Sequence, residues 1–189
     1  MKRNPFAFAI SLSAIAVLAC AAAITVTEVN AQQPGGSGDP LGKFVGSGTC
    51  TGQALGEDMK AFHATTGKFS SQKILDGNWV EIRYDEERST AVTKPFHVVQ
   101  YIGYDKARKR YVSVLVDNSG SGYSTGTSTG TSTGWKGDSI TFDESLDGKP
   151  ASFRDTFTTS SNGMSSHTGT MRDKHGKWIK TDEEHCTSA

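Results

Sequence analysis

The sequence predicts an all-β fold, an antiparallel up-and-down β-barrel of about ten strands. Three observations carry that expectation. From Lys43 onward, short runs rich in Val, Ile, Thr, Tyr, Phe and Trp are separated by turn residues, and no segment shows convincing helical periodicity. Segments such as 78–86 alternate in polarity. Val80, Ile82 and Tyr84 fall on one face, and Glu81, Arg83 and Asp85 on the other. Two cysteines, Cys50 and Cys186, stand near the two ends of the β-rich stretch. A bond between them makes the first and last strands neighbours, as they are when a sheet closes on itself.

The elements follow in order. Residues 43–54 read as a first strand and 62–75 as a second, with Asp76-Gly77-Asn78 as a tight turn. Residues 78–86 form a third strand and 96–104 a fourth, with Pro95 just before it. The charged run 104–110 is a turn, and 111–117 a strand. Residues 121–135, SGYSTGTSTGTSTGW, repeat TGTSTG between Tyr123 and Trp135. They fit an irregular strand pair or a long loop equally well, because Thr favours strands while the repeat resembles a linker. Strand 138–146 and the meander 152–160, 165–173 and 177–186 complete the set. The last three are joined by Ser161-Asn162-Gly163 and Lys174-His175-Gly176.

The N-terminus sets the compartment. Lys2 and Arg3 precede a long apolar run from Phe6 to Val26, which closes on Val29-Asn30-Ala31. Residues 1–31 therefore read as a secretory signal peptide cut after Ala31, with a membrane anchor as the competing reading. Val17-Leu18-Ala19-Cys20 resembles a lipoprotein cleavage box. Leu18 fits that box poorly, and the residues after Cys20 stay apolar. Residues 32–42, QQPGGSGDPLG, are expected as a flexible linker, and 43–189 as one domain. The expected localisation is periplasmic or secreted, with no membrane span after cleavage. With Cys20 in the leader, Cys50 and Cys186 remain as an even pair in an oxidising compartment, hence a disulfide.

The whole chain has 20 Lys and Arg against 20 Asp and Glu. Removing residues 1–31 leaves 18 against 19, a net charge of −1. That balance argues against a nucleic-acid partner, which would want a basic patch.

Three stretches resemble a known family: ILDGNWVEIRYDE, YIGYDKARKRYVSVLVDNSGSG, and the later Gly134-Trp135 followed by DSITF. The closest signature is Gly103-Tyr104-Asp105, a short basic turn, and a strand ending Val116-Asp117. The chain is similar over this region to the bacterial domain of unknown function 1579. The resemblance implies a lipocalin-like barrel with a cavity and supplies no catalytic residues.

A barrel of this size can hold one small ligand or be filled by its own side chains. Tyr84, Tyr101, Trp135, Phe153, Phe157, His167 and Met171 are the expected ligand-binding residues, with Val80 and Ile82 also facing inward. Asp155 shares the face of Phe153 and Phe157. Its burial needs a partner, for which Arg83, Arg154 or Arg172 could serve. His167 shares a face with Ser165, Gly169 and Met171. Nitrobindin-like barrels hold haem through a late-strand histidine, but a lone strand histidine is more often hydrogen-bonded structure, so no cofactor and no metal are assigned.

Asp143, Glu144 and Asp147, next to Gly148, read as a solvated turn, and 85–88 as a hairpin end. No Gly-x-Ser-x-Gly elbow appears in a strand-to-helix context, and no phosphate loop is present. The expected function is non-covalent binding of a small, partly apolar molecule in the cell envelope. An enzyme using His97, Tyr101, His167 and Asp155, or a filled interaction module, are the alternatives.

Overall fold

The computed structural model describes residues 38–56, 60–90, 92, 94–118, 126–146, 149–161 and 163–189. The expected signal peptide, residues 32–37 of the linker, and Asp147 lie outside the described residues. Among the described residues, eleven strands follow one 3-10 turn, Gly42–Phe44. They are β1 (Gly46–Leu55), β2 (Phe62–Ile74), β3 (Trp79–Glu86), β4 (His97–Asp105), β5 (Arg110–Asp117), β6 (Thr127–Ser132), β7 (Trp135–Lys136), β8 (Ser139–Leu146), β9 (Lys149–Ser160), β10 (Gly163–Arg172) and β11 (Trp178–Ser188). The threonine-rich repeat thus enters the barrel wall as β6, followed by the two-residue β7.

Sequence neighbours pair antiparallel except β6 and β7, and in addition β1 pairs with β11 and β6 with β8. These two extra pairings close a ten-stranded barrel, with β7 a short extension beside β8. Cys50 lies directly opposite Cys186 across the β1–β11 pair, and their sulfurs are at bonding distance, 2.06 Å. The expected cystine thus joins the first and last strands.

Alternation decides what lies inside. On β3, Val80, Ile82 and Glu86 are buried and Tyr84 half-buried, while Arg83 and Asp85 face solvent. On β6, Ser128, Gly130 and Ser132 point inward, and Thr127 and Thr129 outward. The repeat therefore places small residues against the core and β-branched threonines on the surface, where they suit a strand.

One end of the barrel is an apolar floor. Phe44 enters from the 3-10 turn and is 2% exposed. Its ring packs against Trp135 at 5.1 Å, Tyr111 and Phe157 at 6.1 Å, and Phe142 at 6.4 Å between centroids. Such tilted and edge-on contacts suit the aromatic quadrupole. Ile102, Ile140, Val80, Phe69 and Met164 complete this layer.

The segment just before the floor departs from the expected linker. Leu41 is 3% exposed, Asp39 pairs with Lys73, and the Tyr111 hydroxyl donates to the Pro40 carbonyl at 3.0 Å. Pro40 and Gly42 look like linker punctuation, yet they carry a leucine and a phenylalanine into the barrel end. Among the described residues no helix is long and apolar enough to cross a membrane.

Candidate functional site

Above the aromatic floor the interior turns polar. The change is visible along β8, where Ile140 and Phe142 are followed on the same face by Glu144, which has no exposed surface. A carboxyl in that position must find donors. Ser113 on β5 donates to Glu144 Oε1 at 2.9 Å, and Ser128 on β6 donates to Oε2. Gly130 on β6 lies directly opposite Glu144, and a Cβ there would sit 2.5 Å from the Glu144 Cγ. The small residues of the repeat thus make room for this acid.

Gln100 on β4 links Glu144 to a second acid. Its Nε2 donates to Ser113 Oγ at 2.9 Å and Asp155 Oδ2 at 2.9 Å, with a longer contact to Glu144 Oε1 at 3.4 Å. Asp155 on β9 is 1% exposed. Its other oxygen meets His167 Nε2 on β10 at 2.9 Å, and His167 Nδ1 meets Asp182 Oδ2 on β11 at 2.9 Å. The Gly169 N–H at 3.0 Å and the Thr181 hydroxyl at 2.9 Å also donate to Asp182. A smaller group lies alongside, in which Tyr84 on β3 and Thr65 on β2 donate to Glu184 Oε1 at 2.5 and 3.1 Å. Gly67 lies beneath the Tyr84 ring, where a Cβ would come within 2.5 Å of it.

The charges follow from this wiring. Burial works against a proton on His167, but the Asp182 and Asp155 carboxylates outweigh it and raise its pKa well above the ordinary 6.5. Burial pushes Asp182 up, yet the facing His167 holds its pKa below 3.8. With both ring nitrogens donating, His167 is an imidazolium clamped between two anions. Burial, and then the charge of Asp155, push Glu144 up to about 7 against the donors Ser128 and Ser113. Burial likewise raises Glu184 despite its bond from Tyr84. Burial and the adjacent Glu184 carry the Tyr84 phenol well above its usual range. Across the interior, nine of the ten wall strands contribute a side chain to these two groups; only β1, which carries the cystine, does not.

Sequence comparison matches residues 33–187 to the family described as "Protein of unknown function (DUF1579)". The chain belongs to this family. No curated protein matches it. Among solved structures it is similar to the crystal structure of Rv2717c from M. tuberculosis, with a TM-score of 0.59 and 15% identity. That alignment covers 79% of this chain and 94% of the other, so the shared feature is the barrel fold.

Within this DUF1579 barrel, Tyr84, Phe153, Asp155, Phe157, His167 and Met171 come together inside, as the strand patterns imply. Trp135 belongs to the floor, against Phe44, rather than to the polar layer. Tyr101 is a correction. Its neighbours Gln100 and Ile102 are the buried pair, so Tyr101 points outward, opposite Glu81 and the exposed Val114. His97 is also on the outer surface, where it meets Asp85 at 2.7 Å. The expected catalytic set of His97, Tyr101, His167 and Asp155 is therefore divided between two faces.

Three further expectations change. Asp155 is satisfied by His167 and Gln100, not by an arginine. Arg83 instead pairs with Glu81 and Arg154 with Asp143 on the outside, while Arg154 and Arg172 stack on Trp178 at 4.1 and 4.4 Å. Glu144 is sealed in the interior rather than solvated in a turn. Glu86, read as part of a hairpin end, is 6% exposed and holds His63 Nε2 at 3.3 Å and the Phe96 N–H at 2.8 Å. His167 has no nitrogen left for an axial bond to a haem iron, since each meets a carboxylate. Among the described residues no group of three or more His, Cys, Asp or Glu is arranged to hold a metal ion.

Proposed function

We propose that this DUF1579 protein is an exported, non-enzymatic carrier of a small, partly apolar molecule, held in the half of the barrel away from Phe44. The observation that carries this reading is the two-tier lining of that half. Val98, Leu115, Phe153, Met171 and Ile179 are each only half-buried, so apolar surface remains to be covered. Just below them, the network keeps partial access at His167 and Asp182, whose side chains are 24% and 22% exposed. A ligand whose apolar body covers Phe153 and Met171, and whose polar group meets Asp182, would gain burial and orientation together. Cys50–Cys186 and the leader-like residues 1–31 support an oxidising compartment.

Native mass spectrometry of protein purified from its own exported fraction tests this. The expected spectrum carries an additional mass that disappears on denaturation, and whose occupancy falls at least tenfold in Phe153→Glu. Bare protein in every preparation, or full occupancy in that variant, would overturn the reading.

A further inference from the structure

The ten-stranded wall closes along one short seam. Among the described residues, β6 and β8 share four cross-strand pairs, Ser128–Leu146 to Thr131–Asp143, whereas every other wall pairing runs to six or more. Glu144 sits in that seam, opposite Gly130, and it is the side chain that ties the seam to its surroundings. It accepts from β6 through Ser128 and from β5 through Ser113, and it reaches β4 through Gln100. The strands β4, β5 and β6 offer it only neutral donors. From β9 it faces the anion Asp155, from β10 the imidazolium His167, and beyond these Asp182 and Glu184 on β11. His63 and Glu86 pair separately on β2 and β3.

We propose that Glu144 is a proton-operated latch on the β6–β8 seam. With its proton on, the carboxyl joins four strands by neutral hydrogen bonds. With its proton off, a second buried anion faces Asp155, and the seam is where that repulsion is relieved, giving the interior a lateral opening between β6 and β8. His167 offsets only part of that repulsion, because its single charge is already shared between Asp155 and Asp182. The sign follows from the direction of the shift. A carboxyl whose pKa is raised to about 7 in the fold favours the closed barrel fully below its ordinary 4.5, and loses that contribution as pH rises through about 7. The closed seam is thus the acid and near-neutral state, whether or not the barrel carries a ligand.

Hydrogen exchange of the intact protein at pH 5.5 and 8.5, corrected for the intrinsic exchange rate, reads the seam directly. Protection of β6 and β8 is expected to fall at least tenfold relative to β1 and β2 between the two pH values, and to stay level in Glu144→Gln. Equal protection in the wild type at both pH values would overturn the latch, as would the same fall in Glu144→Gln. Infrared spectroscopy of the wild type needs no variant to fold. A protonated-carboxyl band present at pH 5.5 and lost at pH 8.5, in step with seam exchange, is the expected result. A band unchanged across that range would remove Glu144 as the sensor.

Discussion

Replacing His167 with alanine is expected to destabilise the barrel by about 3–5 kcal/mol, the range seen when one member of a buried ion pair is removed. Two carboxylates would lose their shared cation at once. Asp155 would keep only Gln100, and Asp182 only the Gly169 amide and the Thr181 hydroxyl. The loss has a pH signature. The lowered pKa of Asp182 makes its contribution present above 3.8 and lost as pH falls below it. The raised pKa of His167 makes its contribution present below 6.5 and lost as pH climbs through its higher folded value. The wild-type advantage is therefore greatest between about pH 4 and 6.5, and should shrink as pH falls below that range. Urea unfolding at pH 3, 5 and 7 measures this. A constant difference across the three would mean that the ring acts by packing alone.

Removing the cystine is expected to cost about 4–5 kcal/mol at most, from loop-entropy reasoning for a closed loop of 136 residues. The bond joins the ends of the β-rich chain, so it limits the unfolded state more than it adds contacts to the folded one. The β1–β11 ladder, from Gly48–Ser188 to Ala54–Asp182, should still form without it. A Cys50→Ala, Cys186→Ala double variant should keep its far-ultraviolet spectrum while unfolding at markedly lower urea. An unchanged midpoint would show that the two sulfurs are not bonded in the wild type.

How far the sequence was legible varied with how clearly each strand alternates. β3 alternates cleanly, and its inward set was readable. β4 carries Val98 and Val99, then Tyr101 and Ile102, so apolar content does not fix its phase, and the expected inward Tyr101 faces outward. The signal lay in Gln100, a polar residue whose burial supplies donors to two acids.

Glu144 was hidden by its closeness to Gly148, because acids near a turn are usually solvated. The phase of Ile140 and Phe142 already pointed it inward. The partners of His167 were harder to foresee. Asp155 falls between Phe153 and Phe157 and was recognised as buried. Asp182 lies in the inward phase of Glu184 and Cys186, but that phase breaks just before it, where the pairing skips Thr181 and moves from Gly169–Asp182 to Thr170–Lys180. A one-residue bulge changes which side of a strand faces the core, and the residue pattern does not announce it. The floor depends on Phe44, whose role follows from its place beneath the barrel rather than from any periodicity.

A charged histidine held between two carboxylates anchors the polar layer inside the barrel. Nitrogen-15 NMR of the His167 ring at pH 8 tests that most directly. Both ring nitrogens are expected to carry protons there, with imidazolium shifts. A neutral His167 with one unprotonated nitrogen at pH 8 would contradict it, since Asp155 or Asp182 would then face a lone pair rather than a proton.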